Sequence, residues 1–480
     1  MVARGRFARA TLRHVVGGQE SIRQPPREEN ALLRGNLLPM SPPSNAAALR
    51  NRFSPSPPVL AASLAIFLAG VMIAPFFSMT IDTHYYFLSW AQESRGFNPF
   101  RLYEARADCN YPALWLYVLT GVEKLRLLFH APPHSPGAVL LLKLPSLLAL
   151  AGAVPMAERW LREPFGADAA RRGAVALAFG LSLWVNAAIW GQADVPLAVL
   201  LIGAALALLH ARPVLAGVLA GFALALKLQA IFAIPFLIVY AWRRFGGRMA
   251  GFALATGILT VVLLSLPFFL HSRASGTGLI RSYTGAVGFY HRRSNEAFNI
   301  WHLSKGFDNV VRHLPAELAN DDRVPYIGPL TPRQIGLSLF VAAYLPLLWR
   351  LWRNPSPQAL LFSIALGFIV FFMFPTQVHS RYVQPGIAFL ALLYGVSPGV
   401  RRLYPFWNIT TTVNIGMALV YTNWMWAGTL AKHNRGIEKV LFTGGSVLTS
   451  VAQVVLLVLL YRAFWRETEP IADMAEKPAP

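Results

Sequence analysis

The sequence predicts an all-α, polytopic membrane protein with about twelve transmembrane helices. Of its 480 residues, 55% are hydrophobic and only 14% are charged, whereas soluble domains carry about 25% charged residues. The mean hydropathy is +0.45. Apolar runs close to the length of about twenty residues that crosses a bilayer recur along the chain. These observations favour one continuous membrane domain over several soluble domains.

The segment before the first apolar run, residues 1–57, is rich in arginine, lacks lysine and contains a stretch rich in proline and serine. This composition predicts a disordered tail on the cytosolic side of the membrane. A cleaved targeting peptide is the alternative, because such peptides are also arginine-rich and poor in acids. The two glutamates of "QPPREEN" argue against it.

The candidate spans lie near residues 58–77, 137–157, 173–190, 194–210, 212–227, 229–242, 249–270, 335–352, 358–375, 382–398, 404–424 and 440–464. The basic residues between them predict the orientation, because cytosolic loops carry an excess of lysine and arginine. With the N-terminus inside, short arginine clusters fall in cytosolic loops, at 159–172, 243–248, 350–353 and 401–402. Both chain ends are then cytosolic.

This alternation requires that residues 111–130 do not cross the membrane. The second half of this segment carries Glu123, Lys124 and Arg126. We therefore expect an amphipathic helix that lies on the outer surface, within the first outer loop.

The formal net charge of +21 suggests a nucleic-acid partner, but much of it is explained by the loops between apolar runs. No recognition motif accompanies it, so no nucleic-acid partner is expected. The single cysteine, Cys109, has no second cysteine for an intramolecular disulfide.

Six short patches of polar and aromatic residues fall on the outer side of this topology. Such residues on loops over a rigid scaffold are where function is expected. The patches are "IDTHYYFLSWA" (81–91), "DCNYP" (108–112), "WGQAD" (190–194), "KLQ" (227–229), "RRSNEAFNIW" (292–301) and "VHSRY" (378–382).

Asp82 lies just beyond the first apolar run, at the start of an aromatic-rich helix that we expect to lie flat on the membrane. A carboxylate at this boundary is a candidate general base. The alternative is a solvated residue that marks the end of the span.

Cations on the outer side point to an anionic ligand. Lys227 interrupts an otherwise apolar run, where a charge is costly and indicates function, although its long stem could also reach the interface. Arg381 stands on the side that the positive-inside rule disfavours. Arginine binds phosphate oxygens through parallel hydrogen bonds, and the neighbouring His379 can add another. These residues predict a site for a lipid phosphate, with Asp82 as the base for a hydroxyl acceptor.

Other candidates have strong structural alternatives. Asp194 and Gln192 could cap the following span, and Trp190 could belong to the interfacial aromatic belt. Lys143, the one charge inside the second apolar run, is assigned no role. The remaining candidates for substrate binding are Gln229, Asp108, Tyr111, Arg292, Asn299 and Trp301.

In this order, the motifs resemble the GT-C superfamily of integral membrane glycosyltransferases. Within this superfamily, the chain resembles bacterial mannosyltransferases that are related to the GPI mannosyltransferases and the dolichyl-phosphate-glucose-dependent glucosyltransferases. The resemblance covers roughly residues 60–400 and rests on Asp82, "NYPALWLY", "WGQAD", "KLQ", "NEAFNIWHL" and "VHSRY". It implies a catalytic core over 58–400, C-terminal transmembrane helices over 401–464 and a cytosolic tail over 465–480.

The resemblance also implies the chemistry. A hexose, mannose or glucose, would pass from a polyprenyl-phosphate donor to a hydroxyl of a lipid-linked glycan or other acceptor, with inversion, at the extracytoplasmic face. Asp82 would accept the proton, and Arg381, His379 and Lys227 would stabilise the leaving phosphate, with Arg292 as a further candidate. The expected compartment is the bacterial inner (plasma) membrane, or the endoplasmic reticulum membrane in a eukaryote.

Two departures bear on a metal ion. Relatives often have "YPP" where residues 111–113 are "YPA", and "VHER" where this chain has "VHSR". Ser380 thus replaces an acid that could bind a metal, and no cofactor is expected. A divalent ion shared by Asp82 and Asp108 is the alternative.

Two other protein classes compete with an enzyme. A secondary transporter would also have about twelve spans and buried charges, but the chain shows no convincing internal repeat and gathers its polar groups at one face. A non-catalytic scaffold or lipid-binding protein is the third alternative.

Overall fold

The computed structural model describes residues 54–94, 98–285, 288, 290–429 and 436–469. Within these ranges the chain is mostly helical and forms no β-strand, which confirms the all-α prediction. Most of the predicted N-terminal tail and most of the C-terminal tail lie outside the described residues.

The longer α-helices are numbered in chain order as α1 (Pro57–Ile73), α2 (Ala113–Leu128), α3 (Pro136–Phe165), α4 (Ala167–Ala178), α5 (Asp194–Leu209), α6 (Pro213–Leu226), α7 (Ile234–Phe245), α8 (Gly247–His271), α9 (Arg273–Thr284), α10 (Ile300–Val310), α11 (Pro332–Arg353), α12 (Pro357–Met373), α13 (Gln384–Tyr394), α14 (Pro398–Trp426) and α15 (Gly436–Glu467). Short turns connect them, at Ile81–Leu88, Ser89–Glu93, Pro99–Arg101, Leu102–Ala105, Leu181–Val185, Asn186–Trp190, Leu228–Phe232 and Ala316–Asn320.

A serine or threonine followed by proline starts several of these helices. The side chains of Ser135, Thr331, Ser356 and Ser397 accept hydrogen bonds from backbone N–H groups in the first turns of α3, α11, α12 and α14. The proline that follows each one has the φ angle of a helix and lacks an N–H group that would go unpaired there. The sequence thus marks these helix starts without help from packing.

The centre of the molecule is formed by α12 and α13, whose residues are almost all buried. Helix α13 packs against α4, α5, α12 and α14. In contrast, only 17% of the 18-residue apolar stretch of α8, and 28% of the corresponding stretch of α11, is buried inside the protein. Apolar helices with such exposed faces are suited to contact lipid.

Close packing of α6 against α8 depends on glycine. A Cβ atom at Gly217 would come within 2.0 Å of the Ala253 carbonyl oxygen, and one at Gly221 within 2.5 Å of the Gly257 oxygen. Small residues at such crossings let membrane helices approach closely. This contact holds α6, at whose end Lys227 lies.

All twelve predicted spans coincide with helical segments, but the number of crossings stays a prediction. Five helices in the described ranges are long and apolar enough to cross a membrane, or six if Ala167–Ala178 and Leu181–Trp190, bent by 43°, form one span. Five others are apolar but shorter. A helix such as α6, with 14 residues, extends about 21 Å, less than the roughly 30 Å of a hydrocarbon core.

Helix α2 is the helix predicted over 111–130, with a different face buried. Glu123 and Arg126 form an ion pair of 2.8 Å that is buried in the protein, whereas Leu125 and Leu128 are exposed. Of the three charged residues that marked this helix in the sequence, only Lys124 is exposed. Residues three apart share one face of a helix, and their mutual neutralisation allows that face to turn inward.

Candidate active site

Two π-helical turns carry the side chains that meet at the site. Asp82 lies in the π-helix Ile81–Leu88, and Trp190 ends the π-helix Asn186–Trp190. Gly191 follows with φ of +77°, a left-handed conformation that glycine adopts without steric cost. Single π-turns are rare and often occur at functional sites.

The Asp82 carboxylate is held on one side only. Its Oδ2 atom accepts hydrogen bonds from the Trp190 indole at 2.7 Å and from the Gln192 amide at 2.6 Å, and lies 3.6 Å from Nη1 of Arg381. The Tyr111 hydroxyl donates to the Gln192 oxygen at 2.7 Å, which orients that amide. No described residue hydrogen-bonds to Oδ1, so this oxygen is left to accept another proton.

A cluster of charges extends from Asp82 into the protein. The Arg381 guanidinium lies between Asp82 and Asp194, with Nε 3.6 Å from the Asp194 carboxylate. Lys227 donates a hydrogen bond of 2.6 Å to the same carboxylate. The Tyr382 ring flanks both cations, with its centre 5.0 Å from the Lys227 ammonium and 5.7 Å from the Arg381 guanidinium carbon.

The charges of this cluster are paired with each other. Asp194 is 1% exposed and pairs with both cations, so the two carboxylates and two cations balance each other. Asp194 is also not the helix cap that its position suggested, because Ala193 holds that position and Asp194 makes no capping hydrogen bond. Arg381 still forms no hydrogen bond within 3.5 Å among the described residues, which leaves its N–H groups available to a ligand.

His379 lies beside these cations. Burial, together with the charges of Arg381, Lys227 and Arg292, lowers the pKa of His379 well below its ordinary value. The imidazole is therefore neutral near pH 7 and acts as a hydrogen-bonding group rather than as a third cation.

Two cavities meet at this cluster, one of about 470 Å³ and one of about 500 Å³. Both are lined by Asp82, Tyr86, Tyr290, His379 and Arg381. The candidate base and the candidate phosphate-binding arginine thus stand on the wall between two compartments.

The first cavity combines polar and apolar walls. Its polar side includes Lys227, Gln229, Asp108, Tyr111 and Gln192. Its apolar side is formed by Leu228, Ile231, Phe232, Leu337, Phe340 and Phe371. Two of the latter are strongly exposed, Ile231 at 48% and Leu337 at 57%, so the cavity opens between the turn after α6 and the lipid-exposed helix α11.

The second cavity is lined by Trp190, Arg292 and Glu296 on one side and by Met425 and Trp426 of α14 on another. Glu296 has a positive φ of +60°, which is unusual for a residue with a side chain. Aromatic and polar groups of this kind suit a sugar, whose faces are apolar and whose edges carry hydroxyls.

The profile of glycosyltransferase family 87 matches residues 111–375, more than half of the chain. The chain belongs to glycosyltransferase family 87. This membership confirms the resemblance to GT-C membrane glycosyltransferases and identifies the protein as a transferase. The matched region ends before His379 and begins after Asp82, so only the three-dimensional arrangement connects Asp82 and Arg381 with the matched motifs.

Solved structures show distant similarity to this family 87 member. ArnT from Cupriavidus metallidurans bound to undecaprenyl phosphate is 14% identical, with 88% of this chain and 78% of ArnT covered, at a TM-score of 0.45. The apo state of ArnT gives 17% identity, coverages of 84% and 77%, and a TM-score of 0.41. An oligosaccharyltransferase from Archaeoglobus fulgidus in the apo form is 12% identical, with 88% of this chain and 60% of the oligosaccharyltransferase covered, at a TM-score of 0.39. A comparison with curated proteins found no match.

Two of the predicted binding residues lie elsewhere in the family 87 fold. Asn299 caps α10, where its side chain accepts from two backbone N–H groups and donates to the Phe372 oxygen at 3.0 Å. Trp301 is 3% exposed and donates to the Phe374 oxygen. Neither lines the two cavities. They attach the start of α10 to the end of α12.

Asp108 lies at the first cavity, but both of its oxygens are already bound. Arg106 donates to them at 3.0 and 2.9 Å, and these hydrogen bonds lower the pKa of Asp108. Within the described ranges, no three His, Cys, Asp or Glu side chains come together as ligands for a metal ion.

Sequence reasoning did not single out Tyr86, Tyr290, Glu296, Arg333 and Trp426, which also line the cavities. Tyr86 lies inside the 81–91 patch and Tyr290 lies two residues before the 292–301 patch, so both had a usable signal. Trp426 lies far from every patch, and nothing separates Arg333, or Glu296 within the 292–301 patch, from ordinary loop charges.

Proposed function

We propose that this family 87 glycosyltransferase moves a hexose, mannose or glucose, from a polyprenyl-phosphate donor to a hydroxyl acceptor with inversion. The observation that carries the proposal is the shared wall between the cavities. There, Asp82 presents an unbonded oxygen, and Arg381 presents unbonded N–H groups. A single displacement needs a base on one side of the reacting carbon and a group that binds the leaving phosphate on the other side.

The first cavity supports a lipid-phosphate donor. Arg381 can bind phosphate oxygens through paired N–H groups, and Lys227 adds positive charge beside it. The exposed Ile231 and Leu337 offer an apolar path along which an isoprenoid chain would pass into the bilayer. A water-soluble nucleotide sugar would gain nothing from such a path.

The second cavity supports the acceptor. Trp190 and Trp426 offer aromatic faces, and Arg292 and Glu296 offer hydrogen bonds to hydroxyls. A lipid-linked glycan is the proposed acceptor class, because its sugar would enter this cavity while its lipid stays in the membrane.

In the proposed step, the acceptor oxygen attacks the anomeric carbon as the bond from that carbon to the donor phosphate oxygen breaks. The acceptor proton passes to Oδ1 of Asp82. The electron pair of the broken bond leaves on the phosphate, where Arg381 stabilises the new charge and neutral His379 adds a hydrogen bond. Attack from the side opposite the phosphate inverts the anomeric configuration.

We place this reaction at the extracytoplasmic face of the bacterial plasma membrane, since the charge rule puts both cavities on that side. No metal ion or other cofactor takes part in the proposed step. The competing class, a secondary transporter, gains no support from membership in a glycosyltransferase family.

A donor panel tests the proposal. The purified protein is incubated in lipid nanodiscs with polyprenyl-phosphate mannose, polyprenyl-phosphate glucose, a polyprenyl-pyrophosphate sugar and a nucleotide sugar, with a lipid extract as acceptor. We expect release of polyprenyl phosphate from at least one of the hexose donors, and a product of inverted configuration. Turnover of the nucleotide sugar alone, or a product that retains configuration, would contradict the proposal.

A further inference from the structure

Lys143 is a buried cation that the proposed chemistry does not use. It lies in α3 and is 0% exposed. Its ammonium donates to the Ala74 oxygen at 2.9 Å and to the Phe77 oxygen. It forms no ion pair with any acid in the described part of the chain. A charge inside a membrane helix is costly and indicates a function, so the presence of a lysine at this position requires an explanation.

The two carbonyl groups lie at the end of α1, just before Asp82. A cation there satisfies carbonyls that a helix end leaves unpaired and favours the negative end of the helix dipole. Stabilisation of α1 alone would explain this much. It would not explain the contacts of the same side chain with a second segment of the site.

The stem of Lys143 packs against the turn that follows Trp190. A Cβ atom at Gly191 would come within 2.7 Å of the Lys143 Cγ atom. One turn further along α3, Ser146 donates a hydrogen bond of 2.8 Å to the backbone carbonyl oxygen of Gln192. Helix α3 therefore contacts two segments next to the carboxylate: the end of α1, which leads to Asp82, and the 190–192 turn, whose side chains donate hydrogen bonds to Asp82.

The chain between the end of α1 and Asp82 is also hydrogen-bonded to α14. Asn423 of α14 accepts from the Thr80 N–H at 2.9 Å and donates to the Ser78 oxygen at 2.9 Å. Lys143 and Asn423 thus bind four backbone groups of the short segment that leads to Asp82.

We propose that Lys143 is a positioning residue, which holds the Asp82 carboxylate against Trp190 and Gln192 so that Oδ1 stays available. The proposal rests on the proposed function, in which Asp82 is the base. Loss of the ammonium frees the carbonyls of Ala74 and Phe77 and lets the linker shift. Donor binding should change little, because the ion pairs of Arg381 and Lys227 among the described residues are with Asp82 and Asp194 and do not involve Lys143.

The test compares Lys143→Met, which keeps the stem and removes the charge, with Lys143→Arg, which keeps a cationic donor. We expect Lys143→Met to lower kcat by about 10- to 100-fold, as a misplacement of the base would, with KM for the donor within about twofold. Lys143→Arg should have a kcat between that of Lys143→Met and that of the wild type. Lys124→Met, at an exposed lysine of α2, is the matched control and should behave as wild type.

A spectroscopic readout separates positioning from stabilisation alone. In protein labelled with 15N-tryptophan, the indole resonance of Trp190 is identified by its loss in Trp190→Phe. It reports the hydrogen bond to Asp82 and should move in Asp82→Asn and in Lys143→Met, but not in Lys124→Met. If Lys143→Met is too unstable to purify, Ser146→Ala should move it in the same direction with a smaller loss of kcat.

The outcomes distinguish the two levels of the account. An Asp82→Asn variant that still transfers sugar would overturn the proposed function. If Asp82→Asn is inactive but Lys143→Met leaves kcat or the Trp190 resonance unchanged, the positioning role is wrong while the function stands. Equal losses in Lys143→Met and Lys143→Arg would also count against it.

Discussion

Asp82→Asn is expected to lower the rate of glycosyl transfer by about 10³-fold, within the range ascribed to a general base. The replacement has nearly the same shape and can still accept hydrogen bonds from Trp190 and Gln192, but its side-chain oxygen does not take up a proton near pH 7. The loss should appear in kcat, with little change in KM for the donor. The measurement is the initial rate of polyprenyl-phosphate release from the hexose donor that the wild type uses.

The matched control is Asp168→Asn, at an exposed acid of α4 whose partner is Arg171. It should retain wild-type activity, since surface ion pairs contribute about 1 kcal/mol or less. Thermal unfolding of both variants checks that Asp82→Asn folds. If folded Asp82→Asn keeps activity within a few-fold of wild type, Asp82 is not the base.

The second large effect is expected at Arg381. Arg381→Gln should lower kcat by about 100-fold, because a buried donor that stabilises developing charge typically contributes about that much. It should also raise KM for the donor, since Arg381 contacts the phosphate before and during the reaction. Arg381→Lys keeps the charge but loses the paired N–H geometry. Its kcat and KM should therefore lie between those of the wild type and those of Arg381→Gln. Steady-state kinetics with varied donor concentration measure both constants.

Arg381→Gln also removes a cation from a balanced cluster and leaves Asp82 and Asp194 with Lys227 alone. Some loss of stability is therefore expected, because a buried charge without its partner is costly. Arg323→Gln, at an exposed arginine paired with Asp321, provides the control for the loss of an arginine. Wild-type kinetics in both Arg381→Gln and Arg381→Lys would exclude Arg381 from the donor site.

The positive-inside rule predicts the orientation of the chain from the charge between apolar runs, and the side of the membrane on which the site lies stays a prediction. That rule placed Asp82 and Arg381, far apart in the chain, on one face, and the structure brings them within 3.6 Å. The rule says nothing about partners. Asp194 and Lys227 were each assigned to a ligand, yet they bind each other. A costly buried lysine indicates that a partner exists without naming it.

Other features had no readable signal. Asn299 and Trp301 lie in a polar motif on the outer side, and nothing in a polar motif distinguishes a helix cap and a loop anchor from ligand contacts. The π-turns at Asp82 and Trp190 are too short to produce a hydrophobic periodicity that differs from the 3.6-residue period of an α-helix, so the sequence did not predict them. The inward face of α2, in contrast, could have been predicted from the sequence, since Glu123 and Arg126 have the spacing of an ion pair within one helix.

The most direct test is a cryo-EM structure of Asp82→Asn, which should not turn over, with the hexose donor bound. We expect the donor phosphate in the first cavity, within hydrogen-bonding distance of the Arg381 guanidinium, and the lipid chain between Ile231 and Leu337. The anomeric carbon should lie between the phosphate and the second cavity, with residue 82 on the side away from the phosphate. A phosphate seated in the second cavity, or out of reach of Arg381, would contradict the account.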